Sequence, residues 1–435
     1  MRRYETPVAI AYALARYGPR RMERILDPAV GNGVLLEPFL RRVKGPSFDI
    51  FAIDSDLRPL KRLRRKFDSH SGKRISIIQA DFLEWASVYR KRKGELFDCV
   101  VMNPPFAGRR HRWRSLAGVN KLVGVNSLRA VGPVEAGFVV ASIGLLRAKG
   151  RLLAILPASL VASSGLAWVR EFMATSGAIC HVHELPRFAF PEIESRIYLV
   201  VYEKGTPQRR TFLLNHDLEQ PEQMLLERNG AGPAQRLDFS YHSSAAKMGV
   251  LKGRHSFGWQ PLGDLATVLR GTERTPGQAN SVVHTGNYCS GFWRRVEVRG
   301  PGEVVGNDAR IRAGDILVKR VSRNCAHSFG LGYGIRGALA SDCVLIVRPQ
   351  YRISSIRLLF AIRCLMALDF SSALLERGTG ASYLSQGELE KFEVPYALSR
   401  EYGQCFSLYV GAIRRRSFAS MQQLESMVRA MVTET

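Results

Sequence analysis

Residues 97–106 read Phe97-Asp98-Cys99-Val100-Val101-Met102-Asn103-Pro104-Pro105-Phe106. An apolar run of strand length stops abruptly at two prolines. Such a run, closed by turn residues, has the pattern of a strand buried in a parallel sheet. Adjacent prolines fix φ and supply no N–H, and Pro104 pushes Asn103 toward extended backbone. The turn is therefore stiff, and its carbonyls face outward without a competing donor. The Asn103 side-chain oxygen and the Pro104 carbonyl can each accept a hydrogen bond from an exocyclic amino group. Phe106 offers a flat face to a planar ring. The plainer use of these residues is a rigid strand-ending turn with a core Phe.

Upstream, residues 24–36 read Arg24-Ile25-Leu26-Asp27-Pro28-Ala29-Val30-Gly31-Asn32-Gly33-Val34-Leu35-Leu36, a short strand, a glycine turn and an apolar helix start. Glycines let backbone approach a ligand closely. A dinucleotide fingerprint needs a third small residue three positions after Gly33; bulky Leu36 stands there, which disfavours a pyrophosphate. Asp27 suits a cationic amino acid group instead. A second strand, Phe48 to Ile53, ends in Asp54-Ser55-Asp56, and an acid at that strand end grips a ribose diol in doubly wound folds. A third, Ile75 to Ala80, ends in Asp81-Phe82, an acceptor beside an aromatic wall that suits an adenine ring. Plainer uses exist here too: Asp54 as a helix cap, Asp81-Phe82 as a turn. Four strand ends in order, each carrying a group that a nucleoside-containing sulfonium needs, set a stronger pattern.

With these motifs the sequence resembles the gamma-class DNA adenine-N6 methyltransferases of type II restriction-modification systems. In that family a Thr-Pro element comes first, then the glycine loop, then Asn-Pro-Pro-aromatic, then a C-terminal target recognition domain. Here Thr6-Pro7 precedes a helical stretch, Val8 to Tyr17, and the order holds. The resemblance implies an α/β fold: a Rossmann-like S-adenosylmethionine-dependent domain with a mostly parallel sheet, followed by an α+β recognition domain. It implies S-adenosyl-L-methionine as cofactor, with Thr6, Asp27, Ala29 and Gly31 at the methionine end, Asp54 on the ribose, and Asp81 with Phe82 at the adenine. It places Phe138, in the helix opened by Glu135-Ala136-Gly137-Phe138, against the cofactor. It makes Phe190, before the strand Ile197 to Tyr202, a second base-stacking aromatic. Many relatives carry Tyr at the Phe106 position; stacking survives that change and a hydroxyl contact does not. In the implied chemistry, Asn103 Oδ1 and the Pro104 carbonyl hold both amino hydrogens of an extruded adenine, with Pro105 stiffening the turn and Phe106 stacking. Methyl transfer is then direct and rests on positioning. The Pro-Cys pair of cytosine-C5 enzymes is absent from the sequence.

The 435 residues carry a formal charge of +25, with a pI near 10.2. That surplus attracts a polyanion, which the resemblance implies is double-stranded DNA. Basic clusters occur at Lys61–Lys66, Arg90–Lys93 and Arg109-Arg110-His111-Arg112-Trp113-Arg114. The last directly follows the Asn-Pro-Pro-Phe turn, and its Arg109, Arg110, Arg112, Trp113 and Arg114 suit a loop that clamps phosphates around an extruded base. Seven scattered cysteines form no Cys-x-x-Cys pair, so neither a disulfide frame nor a metal site is expected. His181-Val182-His183 alternates like a structural strand. The start lacks a signal-peptide pattern, and the most apolar stretch, Phe138 to Leu160, is broken by Arg147, Lys149 and Arg151, which argues against a membrane span. A reduced, cytoplasmic monomer is the expectation.

Composition changes near residue 205. Strands alternate with helices up to Lys204-Gly205, as a parallel sheet requires. Residues 217–247 are polar and contain Gly230-Ala231-Gly232-Pro233, a linker pattern. This gives a catalytic domain over residues 1–245 and a recognition domain over residues 246–435. Beyond the linker, Pro261–Gly271, Ala313–Val318, Gly378–Leu384 and Glu393-Val394-Pro395 resemble the target recognition domains of specificity subunits. Residues 404–432 space Phe406, Val410, Ile413, Met421, Leu424, Val428 and Met431 as one amphipathic helix. An RNA adenine-N6 methyltransferase is the alternative, sharing the turn but usually lacking such a domain. A glutamine-N5 protein methyltransferase shares the turn but not the basic charge. A non-catalytic DNA-binding module has no use for the acids at the strand ends. A restriction endonuclease acting on the same site would be a separate chain.

Overall fold

The computed structural model describes residues 5–42, 48–67, 74–106, 113–124, 129–186, 189–190, 196–227, 235–271, 282–294, 310–322, 324–377 and 382–434. The chain folds as two compact units, one ending at Phe239 and the other beginning at Ser240.

The first unit is built on a nine-stranded sheet. Its strands are β1 (Arg24–Asp27), β2 (Asp49–Asp54), β3 (Arg74–Gln79), β4 (Phe97–Met102), β7 (Leu146–Pro157), β8 (Gly177–Glu184), β9 (Ile197–Lys204), β10 (Arg210–Leu214) and β11 (Gln223–Glu227). A separate small hairpin is formed by β5 (Trp113–Ser115) and β6 (Val131–Pro133). The sheet order is β11-β10-β8-β9-β7-β4-β1-β2-β3. The strands from β3 to β7 are parallel. Strand β9 runs against both neighbours, β7 and β8, and β11 runs against β10.

All six residues of β4 are buried, as a central strand covered on both faces demands. Successive side chains serve opposite layers. Ile25, Cys99, Val101, Leu153 and Ile155 join one core with α1 (Val8–Ala15), α2 (Glu37–Arg42) and α3 (Leu57–Phe67). Leu26, Val100, Met102, Leu152 and Ala154 join the other with α4 (Phe82–Lys91), α5 (Ala117–Val123) and α6 (Val134–Leu145). The chain leaves β1 toward β2 and β3, then returns to place β4 on the other side of β1. This reversal makes a topological switch point, whose C-terminal crevice is where open α/β sheets bind ligands. Asp27 and Asn103 stand at that end of β1 and β4.

In the second unit a six-stranded sheet runs in the order Ala266–Arg270, Val344–Pro349, Ile316–Lys319, Gly330–Tyr333, Phe292–Arg294, Tyr288–Cys289. The short strands Trp259–Pro261 and Glu393–Pro395 pair antiparallel, so the first and last of the recognition-domain sequence patterns are hydrogen-bonded neighbours. In the helix Ser355–Met366 every residue from Leu358 onward is buried. The expected single helix over residues 404–432 is two helices, Gly403–Arg414 and Phe418–Glu434. Arg416 adopts φ 56°, Ser417 N–H reaches back to the Ala412 carbonyl, and the Ser417 hydroxyl accepts from the Ser420 amide. The apolar spacing continues across this break because both helices pack Tyr409, Ile413, Met421, Leu424 and Val428 into one core.

Candidate active site

Asp27 closes β1 and is almost wholly buried, 1% exposed. Its Oδ1 accepts the Ala29 amide at 3.0 Å. Its Oδ2 is buried with no partner among the described residues. Burial pushes this carboxyl up to about 8; the Ala29 hydrogen bond opposes the shift and the Asp54 carboxylate adds to it. A buried acid with a strongly raised pKa and one unpartnered oxygen is a functional-site candidate.

The glycine loop is held by the next strand. The Val30 amide donates to the Ile53 carbonyl at 2.9 Å, and the Gly31 amide donates to Asp54 Oδ2 at 3.0 Å. Asp54 Oδ1 accepts the Asp56 amide at 2.9 Å. Two glycines serve different ends. Gly33, at φ 78°, packs so closely that a Cβ would lie 2.4 Å from Leu63 Cδ1. Gly31, at φ 49°, has nothing within 4 Å of where a Cβ would stand, so backbone there faces open space. Asp54 thus shapes the loop as well as standing at the expected strand end.

Asp81 follows β3 and caps α4, its Oδ1 accepting the Leu83 amide at 2.9 Å and the Glu84 amide at 3.4 Å. Phe82 and Phe138, far apart in the sequence, bring their rings to 4.9 Å between centroids. Both are buried.

The Asn103-Pro104-Pro105-Phe106 turn leaves β4 with Pro104 buried and the other three half-buried. Asn103 Nδ2 donates to Thr6 Oγ1 at 3.0 Å. Thr6 comes from the segment before α1, where the Pro7 carbonyl accepts the Ile10 amide. Phe106 lies against the core layer of α1, α2 and α3. Phe190, in the connection from β8 to β9, is buried in that same layer with Leu185 and Ile197. Arg109, Arg110 and Arg112 lie outside the described residues. Trp113 and Arg114 are exposed and lie in β5, paired with Pro133 and Gly132 of β6, immediately before α6 and its Phe138.

The structure therefore gathers Asp27, Ala29, Gly31 and Asp54 at one place, joins Thr6 to Asn103, and joins Phe82 to Phe138. All stand at the C-terminal edge of the parallel strands. The Thr6–Asn103 bond spans 97 positions, and no local sequence signal announces it. The same is true of Asn32 Nδ2, which donates to Glu5 Oε1 and ties the loop to the segment before α1. Among the described residues no group of His, Cys, Asp and Glu could hold a metal ion, and no helix is long and apolar enough to cross a membrane.

No family model matches the sequence. Over 186 residues the chain is 23% identical to the type II methyltransferase M.AccI of Acinetobacter calcoaceticus, a match covering 41% of this chain and 32% of that protein. Its structure is similar to that of the type IIG restriction endonuclease BpuSI, with TM-score 0.51 and 14% identity over 99% of this chain and 66% of the other. It is also similar to the type IIL restriction-modification enzyme MmeI, solved in complex with DNA, with TM-score 0.53 and 10% identity over 94% of this chain and 70% of the other. The chain shares its fold with restriction-modification enzymes. Within the first unit, the order β3-β2-β1-β4-β7-β9-β8 with β9 reversed is a Rossmann-like, mostly parallel α/β sheet. The chain spans about a third of its curated relative and about two thirds of BpuSI.

Proposed function

We propose that the chain is a site-specific DNA methyltransferase that transfers a methyl group from S-adenosyl-L-methionine to the N6 amino group of adenine. The observation that carries this is the pairing of two features on one sheet edge. One is a proline-stiffened turn whose Asn103 Oδ1 and Pro104 carbonyl are acceptors; the other is the open Oδ2 of buried Asp27 beside the glycine loop. The residues fit the cofactor: Asp27 for the methionine ammonium, the open space over Gly31 for close backbone approach, Asp54 for the ribose, and Asp81 with Phe82 and Phe138 around the adenine. Ala29 lines the methionine end. Bound there, S-adenosylmethionine supplies an electrophilic methyl group.

The chain's own residues then handle the acceptor. An adenine amino nitrogen is a poor nucleophile because its lone pair is delocalised into the ring. Two acceptors on its two hydrogens favour a pyramidal nitrogen with the lone pair directed at the methyl group. Phe106 stacks on the base, with Phe190 as the second base-stacking aromatic. A base paired within a duplex cannot reach this turn, so the target is flipped out. That costs a few kcal/mol, offset by stacking and phosphate contacts. Arg109, Arg110, Arg112, Trp113 and Arg114 supply those contacts.

In this account residues 1–245 carry the chemistry and residues 246–435 read the target sequence. The protein works as a monomer on double-stranded DNA, as the modification component of a restriction-modification system whose endonuclease is separately encoded. The test is methyl transfer from labelled S-adenosylmethionine to duplex DNA with an equal amount of RNA as competitor. Label is expected in DNA, at one recurring sequence when mapped by single-molecule sequencing. Label confined to RNA would replace this function with the RNA alternative.

A further inference from the structure

We propose that Thr6 is a positioning residue for Asn103, rather than chiefly a cofactor contact; the inference rests on the turn being an amino-group cradle. A carboxamide is nearly symmetric in shape and opposite in chemistry at its two ends. An exocyclic amino group presents two donors, so only Oδ1 can face it. Nδ2 must then find an acceptor elsewhere, because Asn103 is half-buried and an unpartnered donor there is costly. Thr6 Oγ1 lies 3.0 Å from Nδ2. By accepting that hydrogen, Thr6 satisfies Nδ2 and draws charge toward Oδ1, which strengthens it as an acceptor.

The position of Thr6 is fixed rather than borrowed. Pro7 locks the backbone after it and opens α1 with φ −57°, and α1 is anchored by buried Ile10 and Leu14. A β-branched side chain has restricted χ1, so the hydroxyl is held where Nδ2 arrives. A threonine hydroxyl can donate as well as accept. The amino group of the bound base therefore selects the orientation of Asn103, and Thr6 makes that orientation a satisfied one.

The experiment measures kcat, KM for duplex DNA and the dissociation constant of S-adenosylmethionine for wild type, Thr6→Val, Thr6→Ser and Asn103→Ala in the full chain. Thr6→Val keeps the shape and removes the acceptor. It is expected to lower kcat by about 10- to 100-fold, the scale of a misplaced catalytic group, while the cofactor dissociation constant stays within about twofold. Thr6→Ser restores most of kcat. A saturating kcat equal to wild type, or a loss carried wholly by weaker cofactor binding, would overturn the proposal. Should Thr6→Val fail to fold, as judged by loss of its cooperative thermal unfolding transition, Thr6→Ala is read by the same criteria. Wild-type protein that methylates no DNA, indistinguishable from Asn103→Ala, would instead bring down the methyltransferase function, and the inference with it.

Discussion

Asp27 in the first unit and Glu425 in the second are both buried acids, yet their surroundings are opposite. Glu425 receives Arg363 Nε at 2.6 Å, Arg363 Nη2 at 3.1 Å and the Tyr409 hydroxyl at 3.0 Å. Asp315 is closed in the same way, by Arg348 Nε and Nη2 at 3.0 Å each and by the Arg312 amide at 2.8 Å. Asp27 has a single amide on one oxygen and, among the described residues, nothing on the other. A buried acid forked onto an arginine is a staple between elements, satisfied by the chain itself. A buried acid left half-open is held near neutrality by burial, with no counterion among the described residues. The contrast separates a charge satisfied by the chain itself from one that is not, without any appeal to motifs.

The largest effect expected from that contrast is on stability in the second unit. Glu425→Gln leaves the Arg363 charge buried without its counterion, and should cost about 3–5 kcal/mol in unfolding free energy. Chemical denaturation followed by the intrinsic fluorescence of Trp259 and Trp293 measures it. A loss below about 1 kcal/mol, the scale of an exposed pair, would break the account of Glu425 as a staple.

Asp27 should behave with the opposite sign. Its carboxyl is raised in the folded protein, to about 8, from about 3.9 in the unfolded chain. The ligand-free protein is therefore most stable below the unfolded value and loses stability as pH rises through the folded one, by on the order of 4 kcal/mol at pH 7. Asp27→Asn should flatten this fall. Unchanged pH dependence in that variant would mean that Asp27 titrates normally and is not a half-open site.

Cofactor binding sharpens the same point. Below pH 8 the ligand-free Asp27 is protonated, and a bound ammonium group favours its ionised form, so binding releases a proton. Affinity for S-adenosylmethionine should rise by about tenfold per pH unit between about pH 6 and 7.5. Calorimetry in buffers of different ionisation enthalpy should count close to one proton. Asp27→Asn should weaken binding and abolish both signals. A flat affinity profile in the wild type would remove Asp27 from the cofactor site.

The smallest effect lies beyond the acids, in the segment after the turn. Changing Arg109, Arg110, Arg112 and Arg114 together to Ala should weaken binding to every duplex alike. It should reduce the log–log salt slope by about 0.9 for each phosphate that is no longer neutralised. An unchanged slope would make this a solvated loop and leave the methyltransferase function standing.

These regions also differ in how legible they are from sequence. β1, the glycine loop and β4 with its proline turn can be read because the determining residues are contiguous: strand, then breaker, then strand end. The parallel sheet follows from the alternation of strands and helices. The antiparallel insertion of β9 does not, because its sequence, Ile197 to Lys204, is an ordinary buried strand whose direction is set by tertiary pairing. The Thr6–Asn103 bond and the Phe82–Phe138 packing join distant residues, which periodicity does not register. The break at Arg416 is invisible because no Gly or Pro marks it, and the apolar spacing runs on across it. Asp54 is legible as a strand-end acid, while its hold on the Gly31 amide emerges only from the fold.

The measurement that bears most directly on the central claim is nucleoside mass spectrometry of duplex DNA after incubation with isotope-labelled S-adenosylmethionine, for wild type and Asn103→Ala. Labelled N6-methyladenine is the modified nucleoside expected in wild type. Asn103→Ala should lose about a hundred- to a thousandfold in rate, the scale of removing one preorganised polar group from the reacting centre, with cofactor binding intact. Labelled N4-methylcytosine in its place, or N6-methyladenine formed at equal rates by Asn103→Ala, would contradict it.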